Sequence, residues 1–322
     1  MKKYSELVIT DLKAAAKTLS NDDLVAIPTE TVYGLAANAF SENAIDKIYQ
    51  TKNRPQTNPL IVHLHNFEQL PKVAKTIPKQ VELLAAHFWP GPLTVVLEKS
   101  DAISTKVTAG KNTVAVRVPN HELTLALLRS LAFPLVAPSA NKSNHISPTC
   151  PQHVFNSLKE DSPLILDGGI CSKGIESTII GFENHKPTIY RLGSISKEAI
   201  EAVLGTSVQL ANHEVSSIAP GMQKKHYAPR TPFISCTNLQ EELKKYPNKK
   251  IGVLFFTENP LAKQMLHYRI LSSSGCVEEA MANLYKMMHE LDELELDVIL
   301  SELAPEKGVG ASINDRLTRA SS

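Results

Sequence analysis

The sequence predicts an α/β protein in which a large domain with a twisted, mixed sheet precedes a smaller parallel α/β domain. Residues 1–205 contain many short apolar segments and few amphipathic ones, a pattern typical of a mixed sheet. Residues 206–230 show little periodicity and read as a linker. From residue 231 to 322, strand and helix patterns alternate, as they do in parallel α/β domains. The length of 322 residues and the 43% hydrophobic content suit two such cores.

Helices in the first domain are predicted at residues 11–20, 41–52 and 196–205. Ser41 is the expected N-cap of the second helix, and Gly205 ends the third. Short strands are predicted at residues 24–29, 60–65, 92–99, 112–119, 133–138, 163–169, 177–182 and 188–193. The last two strands are separated only by the letters ENHKP, which indicates a hairpin.

The second domain is expected to alternate regularly between strands and helices. Strands are predicted at residues 250–256, 268–273 and 296–303, and helices at residues 259–267 and 277–294. The longer helix places Met281, Leu284, Tyr285, Met288 and Leu291 on one apolar stripe. Because Asn314, Asp315 and Arg316 look exposed, we expect them to be available for contact with the first domain.

Composition excludes several classes of protein. Lys and Arg number 34 against 33 Asp and Glu, so no global basic field favours nucleic-acid binding. The four cysteines have irregular spacing, which predicts free thiols in a reducing compartment. The charged N-terminal segment resembles neither a signal peptide nor a membrane span, so a cytoplasmic location without membrane contact is expected. No phosphate-loop, GxGxxG or HExxH motif occurs.

Cations follow two of the predicted secondary-structure elements. Lys52 and Arg54 lie between a helix and a strand, where they could grip a phosphate or carboxylate. The two-residue period of the following strand places Ile61, His63 and His65 on one side. On another strand, Thr113 and Arg117 share a face. A buried guanidinium needs an anionic partner, and that partner is either a protein carboxylate or a ligand.

Two loops rich in small polar residues could present backbone and hydroxyl donors to an anion. They cover residues 137–149 and 166–180, and Arg191 follows the second loop. Lys52, Arg54, Arg117 and Arg191 have no matching set of acids nearby in the sequence. This surplus of positive charge predicts a small polyanionic ligand.

Several ordered motifs resemble a known family. They read, from the N-terminus, PTETVYGL, KNRPQTNPLIVH, WPGPLTVVL, VAVRVPNH, PLVAPSANKS with SPT, and DGGICSKGIESTI with RLG. This series resembles the YrdC-like domain. The segments APGMQKKHYAPRTP and GVGASINDRLTRAS resemble the long, two-domain threonylcarbamoyl-AMP synthases, in which a smaller Rossmann-like domain follows. Ile170 stands where the family motif leads us to expect proline, and no polar group is lost by this departure.

The resemblance implies an L-threonylcarbamoyladenylate synthase, a nucleotidyltransferase that joins L-threonine, bicarbonate and ATP and releases pyrophosphate. The product would serve threonylcarbamoyl modification of the adenosine next to the anticodon in tRNAs that read codons starting with A. A separate transfer complex would be the partner for that step, with weak or no direct tRNA binding by this chain. Mg²⁺ would arrive with ATP, and no protein metal site is expected.

The resemblance also assigns site residues. By this assignment, the residues that bind ATP are Lys52, Arg54, Asn58, Thr113, Ser139, Asn141, Ser147, Arg191 and, from the linker, Tyr227. Those that bind L-threonine are Thr31, His63, Arg117, Ala137 through its backbone, and Ser177. We expect the linker to act as a lid that places Tyr227 over the nucleotide, with Pro220 and Gly221 as its hinge.

Two other functions stay open at this point. A pure RNA-binding module would use the concave basic surface of such a domain, although the near-zero net charge and the lack of aromatic residues among the basic loops disfavour it. Carbamoyl transfer in hydrogenase maturation uses a related domain. That activity needs additional zinc-finger modules, which four cysteines cannot supply.

Overall fold

A computed structural model describes residues 3–211 and 226–321 of the chain. Within residues 3–211, eleven strands form one mixed sheet in the spatial order β1-β8-β2-β3-β7-β4-β6-β5-β9-β10-β11. The strands are β1 (Val8–Ile9), β2 (Val25–Ile27), β3 (Gly34–Asn38), β4 (Ile61–His63), β5 (Leu93–Glu98), β6 (Thr113–Arg117), β7 (Leu135–Val136), β8 (Leu164–Leu166), β9 (Thr178–Glu183), β10 (Lys186–Arg191) and β11 (Gln209–Leu210).

Helices pack against this sheet and bury its apolar side chains. They are α1 (Tyr4–Leu7), α2 (Leu12–Ser20), α3 (Glu42–Lys52), α4 (Lys79–Phe88), α5 (Thr105–Thr108), α6 (Glu122–Ser130), α7 (Pro151–Leu158) and α8 (Lys197–Leu204), with 3₁₀ turns at Phe67–Lys72 and Lys159–Asp161. The hydroxyl of Ser41 accepts a hydrogen bond from the Ala44 N–H and caps α3, as the sequence predicts. Gly205 ends α8 with a φ of 65°.

The smaller domain has a four-stranded parallel sheet in the order β12-β15-β13-β14, which confirms the predicted fold class. Its strands are β12 (Phe233–Cys236), β13 (Ile251–Phe255), β14 (His267–Ile270) and β15 (Val298–Glu302). Its helices are α9 (Leu239–Leu243), α10 (Val277–Asp292) and α11 (Gly310–Ala320), with a 3₁₀ turn at Pro260–Gln264.

Several local predictions need correction. The structure has α4, α6 and α7 in the first domain, where the sequence predicts few helices between the strands. Strand β4 ends at His63, so His65 lies beyond it. The predicted linker contributes β11, which pairs in parallel with β10. Its residues 212–225 lie outside the described parts of the chain, and so do the predicted hinge residues Pro220 and Gly221. The predicted domain boundaries stay predictions.

The two domains share one apolar cluster. Val32, Ile146 and Ile175 of the first domain are buried together with side chains of α10 and α11. At Gly174, which has a φ of 73°, an added Cβ would lie 2.3 Å from the backbone oxygen of Ala282 on α10. Because glycine has no Cβ, the loop that precedes β9 can pack directly against the backbone of α10 in the second domain.

Among the described residues, every helix is too short or too polar to cross a membrane.

Candidate active site

A small cavity of about 50 Å³ lies where β4, β6 and β9 meet the linker. Most of the predicted site residues line it. These are Thr31, Arg54, His63, Arg117, Ala137, Ser139, Ser177, Arg191 and Tyr227. The parallel register of β4 and β6 sets His63 directly beside Arg117, so groups that are distant in sequence meet at this edge.

Lys52 lies at the last position of α3 and is 1% exposed. Its ammonium donates to the carbonyl of Ser139 at 2.5 Å and to that of Asn141 at 2.6 Å. These carbonyls leave one of the three ammonium hydrogens for a ligand. Within residues 3–211 and 226–321, no carboxylate forms an ion pair with Lys52.

Arg54 follows Asn53, whose left-handed conformation (φ 50°) ends α3 and turns the chain inward. The Arg54 Nε donates to the Asn58 carbonyl at 3.1 Å. Its Nη2 donates to Asn58 Oδ1 and to the Pro59 carbonyl, each at 2.7 Å. Asn58 thus orients the Arg54 guanidinium and does not itself line the cavity. The described contacts leave the Nη1 hydrogens for a ligand.

Burial makes the positive charge of both residues costly. It lowers the pKa of Lys52 well below the usual value, and the neighbouring Arg54 and Lys142 charges lower it further. Burial likewise lowers the pKa of Arg54, to about 10. An anionic ligand would relieve this penalty for both residues.

The sequence prediction that all four cations lack acids is wrong for Arg117. Its Nη2 lies 2.6 Å from Glu30 Oε1, and both side chains are 5% exposed. The contact is a close ion pair that lacks hydrogen-bond alignment, since neither atom has a hydrogen-bond partner. Arg117 also donates from Nη1 to the hydroxyl of Thr31 at 2.9 Å and from Nε to the Gly91 carbonyl. A protein carboxylate therefore compensates the Arg117 charge in the described structure.

His63 is neutral and has a defined tautomer. Burial and the Arg117 charge lower its pKa to about 3. Its Nδ1 lies 3.1 Å from the Ile61 carbonyl, an atom that can only accept. Nδ1 therefore carries the proton, which leaves Nε2 as a hydrogen-bond acceptor.

Ser177 and Arg191 form one unit at the start of β9. A register shift between Ile189 and Arg191 bends β10. Arg191 Nη2 donates to the Ser177 carbonyl at 2.9 Å and to its hydroxyl at 3.1 Å. The Ser177 hydroxyl also contacts that of Thr94 at 2.7 Å.

The remaining predicted residues differ in position. The Ala137 N–H donates to the Ile61 carbonyl, which joins Ala137 to β4. The Asn141 amide donates to the carbonyls of Lys142 and His145, which shapes the loop around Lys52. Thr113 lies at the opposite end of β6 from Arg117, beside Glu98, and is not part of the cavity wall.

Tyr227 covers the cavity from the linker. It is 1% exposed, has a φ of 63°, and stacks at 5.8 Å on Tyr285 of α10. Its neighbour His226 also lines the cavity, and the Ala228 N–H donates to the Asn144 carbonyl. The Ala228 hydrogen bond joins the end of the linker to the first domain, and the Tyr285 contact joins it to the second.

Sequence reasoning missed three residues at this site. Glu30 compensates Arg117, His226 lines the cavity, and Glu176 adds a carboxylate to its wall. Ser147 donates its hydroxyl hydrogen to Glu176 Oε1 at 2.6 Å, so it can offer a ligand only acceptor lone pairs. Glu176 and His226 each adjoin a predicted site residue, and this adjacency was the available signal.

Comparison with known proteins finds relatives that match nearly the whole chain. A family model described as "Telomere recombination" matches residues 17–193, and one described as "Threonylcarbamoyl-AMP synthase, C-terminal domain" matches residues 195–322. Threonylcarbamoyl-AMP synthase of Bacillus subtilis is 40% identical over 316 residues, which cover 95% of this chain and 91% of the relative. Threonylcarbamoyl-AMP synthase of Pyrococcus abyssi is 39% identical over an alignment that covers 96% of this chain and 94% of the relative.

A solved structure gives the same result. The crystal structure of P. abyssi Sua5 complexed with L-threonine superposes with a TM-score of 0.89 at 39% identity, covering 96% of this chain and 94% of that one. The resemblance predicted from the motifs is confirmed. The chain therefore belongs to the threonylcarbamoyl-AMP synthase family and is an enzyme of the nucleotidyltransferase kind.

Proposed function

We propose that this chain condenses L-threonine, bicarbonate and ATP into threonylcarbamoyl-AMP and pyrophosphate. One observation carries the proposal: three arginines and a neutral histidine, which the sequence assigns to phosphate and amino-acid binding, line a single cavity. Arg54, Arg117, Arg191 and His63 line that cavity, and Lys52 lies behind Ser139, whose carbonyl accepts from its ammonium. The relatives named threonylcarbamoyl-AMP synthase and the threonine complex of P. abyssi Sua5 support this function.

L-Threonine is proposed to bind beside β4 and β6. Its carboxylate would pair with the Arg117 guanidinium, which also contacts Glu30 and Thr31. Its amine or hydroxyl would donate to His63 Nε2, the acceptor that the tautomer leaves. Ser177 would supply a further hydroxyl, and Ala137 a backbone contact.

The proposed reaction has two steps. The uncharged threonine amine attacks the carbon of carbon dioxide, forms an N–C bond and loses a proton, which gives an N-carboxylate; if bicarbonate reacts directly, a C–O bond breaks and the hydroxyl leaves with that proton as water. An oxygen of that carboxylate attacks the α-phosphorus of ATP as the bond to the β-phosphate oxygen breaks, and pyrophosphate leaves. Positioning the reactants can lower the barrier by roughly 7–11 kcal/mol. Lys52, Arg54 and Arg191 would stabilise the charge on the phosphate oxygens.

ATP is proposed to enter as its Mg²⁺ complex. The ion commonly retains waters and substrate phosphate oxygens as ligands, so it would be part of the substrate. The proposed ATP contacts also include Ser139, Asn141, Ser147 and Tyr227, whereas Asn58 would act through Arg54, and Thr113 lies too far along β6 to reach the cavity. The Ser147 hydroxyl, which donates to Glu176, suits a donor on the ribose or adenine better than a phosphate.

The linker, residues 206–230, is proposed to act as a lid. The cavity of about 50 Å³ is far smaller than the 300–1,000 Å³ of common ligand pockets. His226 and Tyr227 must therefore move to admit ATP. Closing over bound ATP would exclude water from the short-lived N-carboxylate.

Replacing Tyr227 by Ala is expected to raise the KM for ATP about tenfold, because the ring that covers the nucleotide is lost. Steady-state kinetics with varied ATP would measure this. A KM for ATP equal to that of the unchanged protein would contradict the lid.

The adenylate is proposed to serve threonylcarbamoyl modification of tRNA adenosine next to the anticodon, through a separate transfer complex. The formal charge of +1 supports weak direct tRNA binding at most. Filter binding of tRNA at several salt concentrations would test this, and tight, salt-sensitive binding would contradict it.

The proposed function is tested by measuring pyrophosphate release from ATP by the pure chain. Release should require both threonine and bicarbonate, and mass spectrometry should detect the adenylate. Release at the same rate without threonine would refute the proposal.

His63→Ala is expected to raise the KM for threonine by about tenfold or more and the KM for ATP much less, because the acceptor at Nε2 is lost from the amino-acid pocket. Steady-state kinetics with each substrate varied in turn would measure both values. The opposite pattern would show that the two pockets have been exchanged.

ATP binding is expected to take up protons. Burial lowers the pKa of Lys52, and a bound triphosphate would raise it. ATP affinity should therefore fall as pH rises through the depressed pKa. Calorimetry in buffers of different ionisation enthalpy would measure the uptake, and Lys52→Met should abolish it. Equal uptake by this variant would assign the proton to another group.

A further inference from the structure

A buried carboxylate lies in the wall of the proposed ATP cavity. Glu176 is 7% exposed and lines the cavity next to Ser177. Tyr285 donates its hydroxyl to the carboxylate at 3.0 Å, and Arg316 Nε donates at 3.0 Å. Both of these residues belong to the second domain, whereas Ser147, the third donor, belongs to the first. The second domain therefore controls a charge inside the site of the first.

Arg316 is fully buried, which corrects the prediction that it is exposed. Its Nη2 donates to the Leu192 carbonyl at 2.7 Å, and its Nη1 pairs with Asp315. Its Cζ lies 4.9 Å from the centroid of the Tyr227 ring. Arg316 thus contacts Glu176, the strand end that carries Arg191, and the lid residue at once. Asn314, by contrast, bonds Ala304 within its own domain.

A carboxylate at this position is unfavourable for a site that binds triphosphate. An uncompensated Glu176 would repel the phosphates, and a buried charge without a partner is strongly destabilising. Burial raises the pKa of Glu176, but Arg316, Arg191 and the Ser147 hydroxyl outweigh burial and leave the pKa at about 2. The group is therefore ionised at neutral pH and depends on its partners.

We propose that Arg316 is a positioning residue that neutralises Glu176 and so allows ATP to bind in the cavity of the first domain. This inference rests on the proposed function. It gives the second domain a specific part in the reaction, since Arg316 and Tyr285 act through Glu176 and support Tyr227. The second domain itself need not contact the substrates.

The test compares Arg316→Met with the double variant Arg316→Met/Glu176→Gln. The single variant leaves the carboxylate without its strongest cation, and ATP should bind about tenfold or more weakly. Threonine carries less negative charge, so its affinity should change by no more than about threefold. The double variant removes the charge as well and should recover most of the ATP affinity. Calorimetry measures both ligands without depending on turnover.

Dependence on pH supplies a second readout. The charged or titratable groups that face Glu176 are Arg191 from β10, His226 and Tyr227 from the linker, and Tyr285 and Arg316 from the second domain. Without Arg316, burial would raise the Glu176 pKa, and acid would neutralise the carboxyl. The ATP affinity of Arg316→Met relative to the unchanged protein should therefore improve as the pH falls. The double variant should lack this trend.

Arg269→Met is the control, because Arg269 lies on β14 of the second domain and pairs with Glu290 at a partly exposed position away from Glu176. It should bind ATP within about twofold of the unchanged protein. Unchanged ATP affinity in Arg316→Met, or a double variant no better than the single one, would overturn the proposal. A pH trend that persists in the double variant would also overturn it.

If Arg316→Met does not fold, Tyr285→Phe tests the proposal instead, because it removes only one hydroxyl donor from Glu176. A loss of ATP affinity of about threefold supports the proposal, and unchanged affinity overturns it. Threonine-dependent pyrophosphate release by the unchanged chain tests the proposed function separately. ATP binding with variant-specific losses but no such release would contradict the proposed function alone.

Discussion

Replacing Arg54 by Ala is expected to lower the rate of pyrophosphate release by at least about a hundredfold, because a cation that grips the transferring phosphate group is lost. Hydrogen bonds to the carbonyls of Asn58 and Pro59 hold the Arg54 guanidinium in place. Its Nη1 is therefore fixed in position to donate to a phosphate oxygen of ATP. Continuous measurement of pyrophosphate with saturating threonine would give the rate. Turnover near that of the unchanged protein would refute the phosphate grip.

Two further variants separate charge from folding in this experiment. Arg54→Lys keeps the charge but loses the planar fork, so partial activity is expected. Lys47→Ala removes an exposed cation of α3 that pairs with Asp23, and it should leave the rate unchanged. Circular dichroism and thermal unfolding would establish that Arg54→Ala retains its fold. An equal loss in Lys47→Ala would indicate a nonspecific charge effect.

Arg117→Met is expected to abolish threonine-dependent turnover and also to destabilise the protein. Glu30 would remain as an uncompensated buried carboxylate, which costs about 3–5 kcal/mol in the free energy of unfolding. The threonine carboxylate would lose its guanidinium as well. Thermal unfolding and threonine calorimetry would measure the two effects independently.

The double variant Arg117→Met/Glu30→Gln separates a structural role from ligand binding. It removes both charges and should recover much of the stability lost by the single variant. It should not recover threonine affinity. If threonine binds the double variant as it binds the unchanged protein, Arg117 serves only as the partner of Glu30.

Local sequence patterns predicted much of the first domain. The two-residue period of β6 placed Arg117 on a defined face, and Ser41 marked the start of α3. Helix α7 was missed because Pro151 sits among Ser, Thr and Cys residues that read as a loop. Proline is, however, well suited to the first position of a helix, where its missing N–H is not needed.

Long-range pairings could not be predicted from these patterns. Glu30 and Arg117 lie on separate elements, and only the folded sheet brings them together. Arg316 belongs to a helix rich in polar residues, so its burial arises from docking against the first domain. The resemblance, not periodicity, supplied the assignments of Ser139, Asn141 and Tyr227, and those roles remain predictions.

The central claim is that triphosphate and the threonine carboxylate together occupy one cationic cavity. A crystal structure of the chain with L-threonine and a non-hydrolysable ATP analogue tests it most directly. We expect phosphate oxygens within hydrogen-bond distance of Lys52 Nζ and Arg54 Nη1, and the threonine carboxylate on Arg117. A triphosphate bound elsewhere, with Lys52 and Arg54 still bonded only to protein carbonyls, would contradict the account.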